Sequence, residues 1–283
     1  MDAVLVANAL NVAFEVSTLA LVAMGLAITL GLLGVLNLAH GEFVMIGAFS
    51  ALFVQEQGLP FLAAFPVAVI ACVAIGWPVE RLMIRPLFSR PFDTILATWG
   101  LSLLLRELVE AVYGRGFHSV RQPLTGTVTV FGADYPVYQI AVMLAAVALI
   151  AVLVTWFLTS ATGRRIRALV DNPELAKTVG IPADRLARNT FVAGLGLGGI
   201  AGVLLAPIVA VHPGMGIDYV LKSFFVLVVG GLGHILGLVV GSGVIGGAEA
   251  IVSAAIDRTA GYTFVLLIAI AFLSTKPSGL VGR

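Results

Sequence analysis

Three residues with chemistry to offer stand inside an otherwise apolar run: Asn37, His40 and Glu42, in Leu36-Asn37-Leu38-Ala39-His40-Gly41-Glu42. A second break of this kind, Gly230-Gly231-Leu232-Gly233-His234, interrupts apolar sequence in the corresponding place of the other half of the chain. A carboxylate in hydrocarbon costs about 2.5–3.5 kcal/mol on insertion scales unless a partner or a wet cavity receives it. Backbone freed at a break carries a similar cost. Paired interruptions are therefore a pointer to a solute route between inverted repeats, lined by Asn37, His40, Gly41, Glu42, Gly230, Gly231, Gly233 and His234. The structural alternative is that His40 and Glu42 cap the helix that follows them and bond a neighbouring span. Acid–base catalysis by His40 and Glu42 would need a nucleophile or a metal set beside them, and neither is there, so no catalytic residue and no metal ligand is assigned.

Other patterns exclude more than they support. Gly194-Leu195-Gly196-Leu197-Gly198-Gly199 fits the glycine spacing of a dinucleotide site, but it lies in an apolar span without the preceding strand or the acidic residue that such a site needs. No G-x-x-x-x-G-K-[ST] and no H-E-x-x-H occurs, so P-loop ATP hydrolysis and a zinc protease are unsupported. Gly194, Gly198 and Gly202, like Gly233, Gly237 and Gly241, recur every fourth residue, which lets helix backbones approach closely in lipid.

The elements that must position these residues are membrane helices. The 283 residues are 60% apolar and only 11% charged, with a mean hydropathy of +1.08, against about a quarter charged in a soluble domain. The net charge of +1 says nothing of partners, because the basic residues follow topology. Cys72 is the single cysteine, which excludes an internal disulfide and leaves it the role of a small core residue. The first residues lack a basic n-region and a small-residue cleavage site, so the N-terminus reads as retained.

One long run cannot sit in a bilayer. Gly163 to Arg188 carries six of the sixteen basic residues and lies between two spans, which places it on the cytoplasmic side. On a helical period Ile166, Leu169, Val170, Leu175, Ala176, Val179 and Ile181 form an apolar set facing away from the arginines, with Asn172-Pro173 as a start signal and Gly180 with Pro182 as a stop. A short amphipathic helix at the membrane surface is expected.

In chain order, Val4 to Leu36 makes one long tilted helix or a helix plus a partial one, and Phe43 to Val54 is too short to span comfortably by itself. Phe61 to Met83 is a span with Pro66 and Pro78 as points of bending. Arg81, Arg85 and Arg90 mark a cytoplasmic connection. Thr94 to Val112 crosses outward, with Arg106 and Glu110 near its end, and Gly114 to Pro136 is an external loop with a hairpin around Val128 to Phe131. Val137 to Leu158 and Asn189 to Val211 flank the arginine loop, and parity makes Tyr219 to Val229 and Leu236 to Ala255 a re-entrant pair before the last span. The expected fold is an all-α polytopic membrane protein with roughly seven to nine crossings, broken helices and two inverted-repeat-like halves, in a single domain over residues 1–283.

Taken together these stretches resemble a known family. Leu33-Gly34-Val35-Leu36-Asn37-Leu38-Ala39-His40-Gly41-Glu42, followed by Met45-Ile46-Gly47-Ala48, looks like the N-terminal motif of the branched-chain amino acid ABC transporter permeases of LivH type. Val229 to Gly237 is similar to that family's glycine motif, with His234 where Ser or Asn is commoner, and Lys276-Pro277-Ser278-Gly279-Leu280 resembles its ending. Glu174-Leu175-Ala176 followed by Gly180 resembles the loop by which ABC importer permeases dock on an ATPase, with Leu175 in place of an alanine and without the later Ile-x-Leu-Pro. The resemblance makes Arg165, Arg167, Glu174, Ala176 and Gly180 the ATPase-coupling residues within a coupling loop over 163–188.

It also implies a function: an importer permease without its own ATPase site, for branched-chain or other hydrophobic amino acids. Its implied partners are a second related permease, two cytoplasmic ATP-binding subunits and an extracytoplasmic substrate-binding protein, in a bacterial-type inner membrane. No cofactor is expected in the chain itself, ATP being used by the partner subunits, and no nucleic acid is expected to bind. Arg90-Pro91-Phe92-Asp93-Thr94-Ile95-Leu96-Ala97-Thr98-Trp99-Gly100-Leu101-Ser102 resembles the urea-transporter branch of the same family, so a urea or short-chain amide importer is the alternative. A passive channel is a rival from another class, against which the basic amphipathic loop speaks.

Overall fold

The computed structural model describes residues 3–34, 36–88, 90–231, 235–276 and 279–281; Gly233 and His234 lie outside them. The apolar N-terminal run forms one helix, α1 (Ala3–Leu33), about 46 Å long at 1.5 Å per residue and thus longer than a bilayer core. It ends at Gly34, whose φ of 63° leaves the helical region. After the break, α2 (His40–Glu56) begins, followed by α3 (Ala64–Val79). Pro78 cannot donate to the carbonyl one turn back, and the rod passes into a π-helical segment, Glu80–Ile84. Next comes α4 (Pro91–Tyr113).

After α4, β1 (Thr127–Val130) and β2 (Ala133–Pro136) pair antiparallel with Val130 opposite Ala133. The turn between them is Phe131-Gly132, both at positive φ, as a two-residue hairpin requires. Tyr135 in β2 donates to Asn11 Oδ1 at 3.1 Å, tying the hairpin to the outer end of α1; burial pushes its phenol up to about 12, which keeps the donor proton in place. The hairpin leads into α5 (Val137–Thr159). The basic loop is two helices instead of one: α6 (Ala161–Asp171), capped by Ser160, and α7 (Pro173–Thr178), capped by Asn172. Then follow α8 (Ala183–Leu205), α9 (Met215–Gly230), α10 (Ile235–Ala255) and α11 (Arg258–Thr275).

Among the described residues six helices are long and apolar enough to cross a membrane, namely α1, α3 with its flanking turns, α5, α8, α10 and α11. The others of the bundle are α4, which carries charges, and α2 and α9, each about 25 Å long and preceded by an irregular stretch. All-α and polytopic is thus the architecture.

Its plan is a repeat. The order long helix, break, short helix and two further helices occurs in α1–α4 and again in α8–α11, and α5 adds a single crossing between them, which inverts the second set. Packing follows that plan: α3 lies on α8 as α10 lies on α1, α2 touches α3 and α8, and α9 touches α10 and α1. One apolar cluster, with Phe43, Phe49, Cys72 and Phe191, joins α2 and α3 to α8, and another, with Leu26, Phe225, Leu238 and Ile245, joins α9 and α10 to α1, so each half closes its core on the long helix of the other. The halves meet along α1, α8, α2 and α9.

Candidate functional site

The first break is built by its own polar side chains. Asn37 Oδ1 accepts from Ala39 N at 3.0 Å, and its carbonyl accepts from His40 N at 3.2 Å, so the asparagine folds the turn that starts α2. Leu38 N, which the break leaves free, donates to Thr98 Oγ1 of α4 at 3.2 Å. His40 is fully buried, with Nε2 3.1 Å from the carbonyl of Val22 on α1; a carbonyl only accepts, so Nε2 carries the proton. Room for the ring comes from Gly25 of α1, where a Cβ would stand 2.6 Å from His40 Cε1.

Glu42 is buried in the first turn of α2. Its Oε1 accepts from Ser102 Oγ at 2.8 Å and from Arg106 Nη2 at 3.1 Å, both on α4. Glu110, one turn beyond Arg106, pairs with Arg115 instead. Facing Glu42 is Gly216, in the first turn of α9: a Cβ there would be 2.7 Å from Glu42 Oε2, and one on Gly41 would be 1.8 Å from the Gly216 carbonyl oxygen. The residue that meets the first break is therefore at the start of α9, not in the glycine-rich stretch at its end. Asn37 Nδ2, His40 Nδ1, Glu42 Oε2 and Arg106 Nε are buried and find no partner among the described residues.

Gly230 and Gly231 end α9. A Cβ on Gly230 would lie 1.8 Å from the Gly237 carbonyl oxygen, which is what brings α9 and α10 together, and Gly231 has φ 105°. Leu280 N and Val281 N donate to the carbonyls of Val229 and Gly230 at 2.9 and 3.1 Å, so the C-terminal segment satisfies the end of α9. Gly233 and His234 are outside the described residues. In this conformation Asn37, His40, Gly41, Glu42, Gly230 and Gly231 are enclosed by neighbouring helices, and none of them faces open space.

Sequence reasoning missed a second buried ion pair. Lys222 Nζ of α9 lies 2.5 Å from Glu249 Oε1 of α10, with the Lys222 ammonium 5.9 Å from the Tyr262 ring centroid of α11. Glu15 of α1 lies within electrostatic reach of both charges. The signal was available: Glu15, Arg106, Lys222 and Glu249 are charges inside apolar runs, which calls for partners.

In the basic loop the apolar set divides. Ile166, Leu169 and Ala176 are buried between α6, α7 and α8, whereas Val170, Leu175 and Val179 are exposed. Arg165 and Glu174 are exposed too. Arg167 turns back, donating to the carbonyls of Phe157 and Leu158 at 2.5 and 3.1 Å, and so caps α5 rather than facing outward. Gly180, at φ 84°, ends α7, and Ile181 N donates to the Ala176 carbonyl at 3.0 Å. Arg85, following the π-helical segment, pairs with Asp184 at the start of α8.

A family model described as branched-chain amino acid transport system / permease component matches residues 8–274. The chain is 30% identical to the high-affinity branched-chain amino acid transport system permease protein LivH of Salmonella typhimurium, with 94% of this chain and 92% of that protein covered. It is 29% identical to LivH of Escherichia coli and 29% identical to the high-affinity branched-chain amino acid transport system permease protein BraD of Pseudomonas aeruginosa, each with 94% and 92% covered.

Proposed function

We propose a function on one premise: this chain belongs to the family of permease components of branched-chain amino acid transport systems. It is a multi-pass permease subunit of an ABC importer for branched-chain amino acids, and the observation that carries this is the family match over residues 8–274. The rest of the machine is our reading. A second related permease and two cytoplasmic ATP-binding subunits complete the complex in the inner membrane, and an extracytoplasmic binding protein delivers the solute; ATP is bound and hydrolysed by the partners.

The surface of α6 and α7 receives the ATPase. Val170, Leu175 and Val179 are exposed there on a side that faces no span, beside Arg165, Glu174 and the helix end at Gly180, while Ala176 holds α7 on α6 and Arg167 holds α6 on α5. Closure of the ATPase pair pulls this surface, and the halves move about the starts of α2 and α9. ATP drives this only through unequal affinity for the two arrangements. The polar cluster Asn37, His40, Gly41 and Glu42 lies on the solute route that opens when those helix starts part, and Gly230 and Gly231 belong to the moving end of α9. Support comes from the three buried atoms of that cluster without partners, each costing about 1–3 kcal/mol, which a wetter arrangement would relieve.

ATP-driven uptake by the complex in proteoliposomes, with its binding protein supplied, tests the function. Leucine should accumulate only when ATP is inside with the ATPases. Urea uptake without leucine uptake would move the chain to the other branch of the family, to which Arg90 to Ser102 is similar, and leucine entry without ATPases would mean a channel.

A further inference from the structure

The Glu42–Arg106 pair carries two unused hydrogen-bonding positions, one of each kind. Glu42 spends Oε1 on both Ser102 and Arg106, leaving Oε2, a charged acceptor, with no partner in a side chain that is 1% exposed. Arg106 spends Nη2 on Glu42 and leaves Nε–H, a charged donor, buried and without a partner. A charged acceptor beside a charged donor is complementary to one common solute end, the ammonium and carboxylate borne by the same carbon of an α-amino acid. A neutral solute such as urea could use the donor or the acceptor but has no charge for either.

Position and surroundings fit the same ligand. The pair lies where the first turns of α2 and α9 meet, at Gly41 and Gly216, so parting of those helices would uncover Oε2 first. Arg106 is 20% exposed, so the guanidinium end is not sealed even here. Leu101 and Leu105, which precede Ser102 and Arg106 on α4, join Phe43 and Phe49 in one apolar cluster, a wall suited to an aliphatic side chain. The corresponding pair in the second half lacks this arrangement: Glu249 Oε2 is free, but Lys222 is engaged by Glu249 and the face of Tyr262.

We propose that the Glu42–Arg106 pair is the point at which this permease holds the zwitterionic end of its solute in passage, ammonium on Glu42 Oε2 and carboxylate on Arg106 Nε. This rests on the amino-acid reading above. It adds a specificity element within the membrane chain to the choice made by the binding protein.

The test uses the whole complex in proteoliposomes, with leucine-loaded binding protein, and compares wild type with Glu42→Gln/Arg106→Gln, in which neither charge is left buried alone. Wild type should take up leucine, and in the double variant leucine moved per ATP hydrolysed should fall about tenfold or more, the loss expected for a charge-assisted hydrogen bond. A second variant covers failure of the first to assemble: Ser102→Cys, with Cys72→Ala to remove the native thiol, changes one buried atom. The new thiol should react with a charged methanethiosulfonate in one nucleotide state, and leucine should slow that reaction about fivefold or more, as a bound solute in contact should. Unchanged leucine per ATP in the double variant overturns the inference and leaves the function standing. So does a Ser102→Cys thiol that never reacts, or that reacts equally fast with leucine present. A wild-type complex that carries only an uncharged solute overturns the function and the inference together.

Discussion

The two halves of this permease share a packing plan and differ in the charge they bury within it. In α1–α4 the acid sits on the short helix, Glu42 on α2, and the base on its neighbour, Arg106 on α4; in α8–α11 the base sits on the short helix, Lys222 on α9, and the acid on α10, Glu249. The first pair is shared with Ser102 and leaves one donor and one acceptor over, while the second leaves only the acceptor Glu249 Oε2, its ammonium being covered by an aromatic face, and lies near Glu15. A repeat can therefore keep backbone contacts, made largely by glycine, and still place its buried charges on different helices in its two copies. Glycine contacts define the shape, and the charges distinguish the halves.

The largest effect should come from the contact on which both halves depend. Gly41→Ala places a Cβ 1.8 Å from the Gly216 carbonyl oxygen, and Gly230→Ala places one 1.8 Å from that of Gly237. Both should cost more than the roughly 1–3 kcal/mol usual for overpacking, because a backbone and not a side chain must yield. The measurement is the yield of monodisperse protein in detergent. Gly100→Ala and Gly243→Ala, with nothing within 4 Å of the added carbon, should instead match or exceed wild type. A Gly41→Ala protein as stable as these controls would show that the halves do not meet here.

Next come the charges. Lys222→Met strands Glu249 in a buried site and should destabilise by about 3–5 kcal/mol in denaturant titration, with most of the loss recovered in Lys222→Met/Glu249→Gln. Arg106→Met should cost less, since Arg106 is the more exposed cation and Ser102 still donates to Glu42. Equal losses would remove the distinction between the halves.

The surface of α6 and α7 belongs to neither half, and its variants should affect transport more than folding. Gly180→Leu puts a side chain at φ 84°, a local cost of about 1–2 kcal/mol, and should abolish ATP-driven uptake while the permease still reaches the membrane. Normal uptake would mean that α7 does not dock an ATPase. The smallest effect is expected at the Arg85–Asp184 pair, whose side chains are 44% and 65% exposed: Asp184→Asn should change stability by less than about 1 kcal/mol.

Much of this was legible before any coordinates. The apolar runs give the spans, the arginines at 85–90 and 164–188 mark connections between them, and Asn37 and Gly230-Gly231 mark where helices break, because each of these signals is local in the chain. Asn172 as a helix start and Gly180 as a stop are of the same kind, as is the hairpin at Phe131-Gly132. The amphipathic loop was legible in outline only. A helical period assigned Val170, Leu175 and Val179 to the face of Ile166, but the break at Asn172 reorients α7, so that Leu175 and Val179 emerge exposed, and Val170 is exposed on α6 itself.

Composition, charge placement and punctuation thus determined, by themselves, that the chain is a bundle of membrane helices with two breaks and one basic surface outside the spans, since hydrophobic transfer and turn preference act over a few residues. What only the tertiary structure decided is who meets whom. Glu42 finds Arg106 at a separation of 64 residues, Gly41 meets Gly216 while Gly230 meets Gly237, and Lys222 finds Glu249 across α9 and α10. Buried charges in hydrocarbon require partners, but that requirement is met by any suitable neighbour, and the choice among them is made by the packing of helices on glycine, which brings together residues far apart in the chain.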